Sequence, residues 1–466
     1  MLSLRMASGR QTTGAIHDAN EDRQSSEWIS ASQSGSPGTD FCHAIMPNHH
    51  FVSRVVHRGN TAGRWLQLAG LFVVIGWLAA QVLYTEENKQ LTPFRKQILT
   101  DQYFCDGITA DDINRDGKAD IIAGPFWYEG PGFTNKHEFY PAKPFPTEPA
   151  PTDSMFSFAY DFNSDGWPDI LVLGRVHLHQ AFWYENPHGK PGFWKKHFVF
   201  DRIKGESPPF QDVDGDGKPE LVAHDGTRWG LIQPDWKNPT NEWHFKSITA
   251  AGKFEPFYHG TGIGDVNGDG RLALMLDEGW YEQPAEHGAV WTKHEFKFGE
   301  KGGAQMFAVD VDDDGDNDII TAIDAHGWGL AWFEQVKEGG KITFKKHVIM
   351  GPREEESKYG VAFTQPHALA MADMDGDNRP DIVVGKRLWA HGPKGDIEPM
   401  AEPVLYWFRL VHEGGTTRFE PHLIDRESGV GVQVTAADVN GDGRPDVLTV
   451  SKLGAFLFLN QLGKSR

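Results

Sequence analysis

Beyond about residue 94 the chain alternates short β-branched and aliphatic runs with clusters of Asp, Asn and Gly. IIAG (121–124), ILVLG (170–174), LVAHD (221–225), IITAI (319–323), IVVGK (382–386) and VLTVS (447–451) each follow such a cluster. Runs of four or five residues bounded by turn-formers predict buried strands, not helices. An apolar stretch precedes the cluster (GITAD, FSFAY, ALAMAD, QVTAAD). An aromatic strand follows the run: Trp127-Tyr128-Glu129, Trp183-Tyr184-Glu185, Trp280-Tyr281-Glu282, Trp332-Phe333-Glu334 and Trp407-Phe408. An outer strand comes last, marked by His137, His197, His294, His347 and His422. The period is therefore four short strands per unit.

The polar clusters obey one rule, D-x-[DN]-x-D-G-x-x-[DE], in seven copies spaced 49, 51, 53, 45, 63 and 65 residues apart. The acidic and amide positions are Asp112, Asn114, Asp116, Asp120; Asp161, Asn163, Asp165, Asp169; Asp212, Asp214, Asp216, Glu220; and Asp265, Asn267, Asp269. The remaining copies hold Asp310, Asp312, Asp314, Asp318; Asp373, Asp375, Asp377, Asp381; and Asp438, Asn440, Asp442, Asp446. Oxygens at positions 1, 3 and 5 converge when backbone wraps a hard cation, and Ca²⁺ takes six to eight of them. Gly at position 6 permits the positive φ of the turn, and a carboxylate at position 9 is expected to close the shell. Copy 4 has Ala273 there, and copy 6 has Asn378 in place of Gly. The flanking strands exclude a helix–loop–helix calcium site. Structural Ca²⁺ is the expected ion, with an Asp/Gly-rich turn holding no ion as the alternative.

The last unit ends at 458–460 without an outer strand, while a matching piece, FRKQIL at 94–99, stands alone before the first loop. The N-terminal strand can thus complete the last blade, pairing an otherwise open edge. The expected fold is an all-β, seven-bladed β-propeller over 94–462. A solenoid would leave the displaced strand unexplained. With these loops and strands the sequence resembles the FG-GAP/VCBS repeat family, the calcium-loop propellers also found in integrin α-chains. That resemblance implies the fold and calcium, but no particular activity.

The histidines of the outer strand share one repeated slot and read as structural. His188, His287 and His412 fall in loops on the acidic-loop face. His177, His179, His224, His259, His326, His367 and His391 map instead to the opposite face, with Lys386, Arg387 and two insertions, 351–366 and 385–403. Three imidazoles with an open position suit Zn²⁺ or a similar divalent ion; His224, His259 and His367 are the leading candidates, with His326 and His391 beside them. This arrangement is distantly similar to the propeller part of fungal aldos-2-ulose dehydratases, which implies a metal-dependent sugar lyase or dehydratase. The present sequence is expected to lack the cupin-like second domain of those enzymes. The competing expectation, ranked first because no G-x-S-x-G nucleophile motif occurs, is a binding module for a glycan or cell-surface protein. Trp229, Tyr258, Trp328 and Trp389 would supply its exposed rings.

Charge sharpens this picture. The 466 residues carry a formal net charge of −20, which excludes a basic nucleic-acid footprint. The seven nine-residue loops alone hold 25 acidic and six basic residues. The acidity is thus concentrated in the predicted cation sites. Two cysteines, Cys42 and Cys105, give no disulfide framework. Residues 1–64 are expected to be a disordered cytoplasmic segment, with Met46 a possible alternative start. Residues 65–84 (WLQLAGLFVVIGWLAAQVLY) form an uncharged stretch long enough to span a bilayer. Three arginines precede it and two glutamates follow it, which predicts a signal-anchor with the propeller outside the cytoplasm, after a linker at 85–93. A cleaved signal peptide is the alternative, giving a secreted protein.

Overall fold

A computed structural model describes residues 93–148, 152–174, 180–300 and 302–463. The expected leader, the membrane-spanning segment and most of the linker lie outside the described residues. So do His177, His179 and Cys42. Among the described residues no helix is long and apolar enough to cross a membrane.

Among the described residues twenty-eight strands, β1 to β28 in chain order, form seven four-stranded antiparallel sheets. Six sheets are simple meanders of consecutive strands. The seventh has the order β1-β28-β27-β26, from β1 (Phe94–Thr100), β28 (Gly454–Asn460), β27 (Asp446–Ser451) and β26 (Val434–Ala437). Phe94 pairs with Asn460 and Ile98 with Phe456, so the first strand becomes the outer edge of the last blade, as predicted. The protein is a seven-bladed β-propeller closed by its own N-terminal strand.

The core lies between blades. Seven apolar clusters are buried, each shared by two neighbouring blades, the blade 1–blade 7 seam included. The second residue of every acidic loop, Ile113, Phe162, Val213, Val266, Val311, Met374 or Val439, is buried in these seams. Each loop is therefore anchored by an apolar side chain whose burial contributes about 1.5–3 kcal/mol.

The outer-strand histidines are structural, as read from their repeated slot. His197 stacks on Trp183 with centroids 4.2 Å apart, and its Nε2 lies 2.7 Å from Glu185. The pattern recurs for Trp127–His137–Glu129, Trp280–His294–Glu282 and Trp332–His347–Glu334. In blade 6 His422 still stacks on Trp407, but Arg409 replaces the Glu and ion-pairs with Asp375 of the acidic loop.

Candidate metal centre

A blade meander puts the acidic loops at one end. The turn between second and third strands, and the segment leading into each inner strand, lie at the other. Four side chains converge on that other face. Glu206, His259, His326 and His367 each offer one ligand atom, all within 4.8 Å of one another. Glu206 lies in the segment approaching β10 (Phe210–Gln211), and His259 just before β14 (Thr261–Gly264). His326 is on the turn from β19 (Asp318–Ala322) to β20 (Leu330–Glu338), and His367 is at the start of β22 (Pro366–Ala372). They come from blades 3, 4, 5 and 6.

Local backbone structure aims each of them. The Glu206 N–H donates to the Tyr258 carbonyl at 2.8 Å, which sets Glu206 beside the His259 segment. The His326 N–H donates to Asp324 Oδ1 at 2.9 Å, and Ala325 N–H to the Gly302 carbonyl at 3.0 Å. Gly302 has φ +80°, and a Cβ there would sit 2.4 Å from the His259 carbonyl; glycine lets the two segments pass this closely. His367 lies at a register shift between β22 and β23 (Asp381–Lys386), an irregularity of the kind that re-aims a side chain.

The Glu206–imidazole distances match those of a tetrahedral shell, whereas His259 turns its other nitrogen to His326 at hydrogen-bond distance. His259 Nε2 lies 2.7 Å from His326 Nε2, and His259 Nδ1 and His367 Nε2 each lie 3.5 Å from Glu206. Nitrogen and oxygen ligands about 2.0–2.1 Å from zinc are about 3.3 Å apart. The protonation state also suits. Burial, then the Arg387 charge, lowers His259 to about 3. Burial and the neighbouring His259 lower His326 to about 3. Burial and Arg387 push His367 well below its ordinary value. All three imidazoles are therefore neutral at pH 7, the form that ligates metals.

A second group, His326, His391 and Asp396, adjoins the first. Asp396 Oδ1 lies 2.8 Å from His391 Nδ1 and 3.8 Å from His326 Nδ1, and its Oδ2 accepts the Ala390 and His391 N–H groups. Burial opposes ionisation of Asp396, but these hydrogen bonds outweigh it and hold the carboxyl at about 2. Asp396 thus orients the His391 ring by a hydrogen bond and only adjoins that of His326. The insertion at 385–403 thus supplies both His391 and Asp396.

His224 does not join this centre. It is fully buried, its ring tilted against Trp229 and near Phe254 and Tyr258, with Nδ1 accepting the Gly226 N–H at 3.1 Å. Strand parity is the reason: His224 shares a face of β11 (Glu220–His224) with Val222, which is buried in the seam with blade 4. The fourth member of the group is Glu206, absent from the sequence expectations. A signal existed, because Glu206, His259 and His367 all stand at approaches to inner strands. The exposed-ring expectation is also corrected. Trp229 and Trp389 are buried, Tyr258 donates to Asp277, and Trp328 lies beneath Arg353.

The acidic loops adopt the expected turns. Asp112, Asp161, Asp212, Asp265, Asp310, Asp373 and Asp438 each accept backbone N–H bonds from later loop residues. Three loops gather carboxylate oxygens within 4.8 Å: Asp212, Asp214 and Glu220; Asp310, Asp312 and Asp314; and Asp373, Asp375 and Asp381. The position-9 carboxylates also bind backbone. Asp381, for example, accepts Met374 N–H on one oxygen and Leu410 N–H on the other. Copy 4, with Ala273, turns Arg271 onto its own Asp269.

Residues 161–223 and 310–384 match the FG-GAP-like repeat family. The chain is accordingly an FG-GAP-repeat-containing seven-bladed β-propeller, a scaffold whose His- and carboxylate-rich clusters can bind a ligand or metal. No curated protein matches it significantly. Among solved structures, the V. cholerae biofilm matrix protein Bap1 is 10% identical with a TM-score of 0.42, over 78% of this chain and 88% of that one. BBS1N, solved in complex with ARL6DN and soaked with lead, is 11% identical with a TM-score of 0.44, over 80% and 99%.

Proposed function

We propose that the protein is a metal-dependent lyase of the dehydratase type acting on a polyhydroxylated, sugar-like substrate. The convergence of Glu206, His259, His326 and His367 at one end of the ring carries this reading. A divalent transition ion such as zinc, bound by these four side chains, would act as a Lewis acid on a substrate carbonyl or hydroxyl oxygen. His391 is largely exposed and held by Asp396 beside His326. In this reading it takes the proton from the carbon adjacent to the one that bears that oxygen. The C–H electron pair forms the new C=C bond, the β C–O bond breaks, and the departing hydroxide takes that proton back from His391 and leaves as water. Arg387, buried beside His367, offsets the charge that develops on the oxygen.

Metal analysis of the purified protein tests this, with His259→Ala/His367→Ala as the control. One equivalent of a transition metal, lost in the double variant, is expected. Calcium alone in the parent protein would remove the proposal.

A second reading, a binding module on a calcium-stabilised scaffold, is favoured by two observations. Three acidic loops cluster their oxygens as a hard cation requires. A cavity of about 420 Å³ is lined by Tyr140, Phe145, Phe182, Tyr184, Asp153 and Lys196, a mix of rings and polar groups suited to a sugar. A glycan array and a pull-down from envelope extract test it, and silence in both would end it. We also propose, from residues 65–84, that the propeller is exported; protease protection of tagged protein in intact cells would refute this.

A further inference from the structure

Three cations are buried around the metal group: Lys386, Arg387 and Lys452. Their partners do not use them up. Arg387 Nη2 reaches Asp106 at 3.3 Å, while Nη1 faces His367 Nε2 at 3.1 Å. That imidazole nitrogen is also the one directed at Glu206, so a metal bound there removes the acceptor of Nη1. Among the described residues the Nε–H of Arg387 has no hydrogen-bond partner, Lys386 donates only to the Arg387 and Leu388 carbonyls, and Lys452 only to the Trp389 carbonyl. Among the described residues neither ammonium has a carboxylate within 4.0 Å.

Charge points the same way. The three cations face three carboxylates, Asp106, Glu206 and Asp396. The set is balanced without a metal, and a divalent ion with neutral imidazoles leaves it two charges positive. Excess charge of one sign in a buried site is costly unless an opposite charge enters with it. A guanidinium with free N–H groups is a preferred carboxylate partner.

Resting on the metal-centre reading, we propose that the substrate is a sugar acid. Its carboxylate binds Arg387, with Lys452 supporting, while its hydroxyls approach the metal. A neutral sugar leaves both the guanidinium donors and the excess charge unanswered.

D-galacturonate and D-galactose differ at one carbon, carboxylate against hydroxymethyl, and are the probes. Each is titrated calorimetrically into the metal-loaded full chain, and metal content is measured on the same samples. Galacturonate is expected to bind at least tenfold tighter. Because Arg387→Gln alone would strand buried Asp106, the variants are Asp106→Asn/Arg387→Gln and, separately, Lys452→Met. Both are expected to keep one equivalent of metal. The preference should fall below threefold in the first and weaken in the second. Equal affinity for the two sugars, no binding of either by metal-replete protein, or a preference untouched by both variants would overturn the proposal. Failure of the metal-centre reading shows separately, as parent protein without a transition metal.

Discussion

The repeated Trp–His–Glu slot invites a comparison of one deletion in two blades. His197 and His137 make the same contacts: a stack on tryptophan, at 4.2 and 4.0 Å, and a bond to glutamate, at 2.7 and 3.2 Å. They differ in burial. The His197 side chain is 7% exposed and that of His137 45%. A well-packed ring pair contributes about 0.5–1.5 kcal/mol, and a buried hydrogen bond to a charged group about 1.5–3 kcal/mol. His197→Ala should therefore cost about 3 kcal/mol. The exposed pair in blade 1 contributes at most about 1 kcal/mol, plus part of its stack, so His137→Ala should cost about 1 kcal/mol. An unfolding entropy of about 2.1 cal/mol/K per residue gives roughly 0.8 kcal/mol/K for a propeller of this length. The expected falls in Tm are thus about 4 °C and about 1 °C. Differential scanning calorimetry at pH 7.5, with calcium and protein concentration fixed, measures both. Equal shifts, or a shift below about 1 °C for His197→Ala, would refute the assignment of this slot to burial-dependent packing.

Three further outcomes are expected. His224→Ala should retain one equivalent of transition metal by elemental analysis yet lower Tm, since it empties a buried seam, whereas His259→Ala should lose the metal. In EDTA, Tm should rise as pH falls from about 8 to 6. Burial raises Asp120 and Asp446 to about 6, Glu220, Asp318 and Asp381 to about 7, and Asp169 to about 8. Stability tied to a raised carboxyl is present at low pH and lost as pH rises through the folded value. Added calcium should flatten this slope by holding the ionised form, and identical slopes with and without it would count against calcium in these loops. Truncation through Thr100 should lower Tm sharply in calorimetry, because it strips the outer strand from blade 7.

The ring was legible because its period is written in residue types. Each loop pairs a buried apolar position 2 with carboxylates at fixed offsets, and the strand at 94–99 matched a gap more than 350 residues away. The candidate centre was half legible. His259, His326, His367 and His391 could be placed on one face by blade topology alone. Glu206 stands on that face by the same topology, but its approach segment, KGESPP, matches no other blade and carries no histidine to mark it. His224 was misplaced because membership of a face does not fix direction; strand parity turns it into the seam. The pairing of Asp106 with Arg387 spans 281 positions and leaves no local mark.

The seam between β1 and β28 also has a temporal meaning. Ribosomes release residues 94–100 long before their partners at 454–460. Until then the first strand has no blade to join, and the last blade has an open edge. Closing a loop this long is entropically slow. For most of its synthesis the chain is therefore an open arc with two unpaired margins. Glu206, His259, His326 and His367, drawn from the consecutive blades 3 to 6, are all made while the ring that frames them is still open.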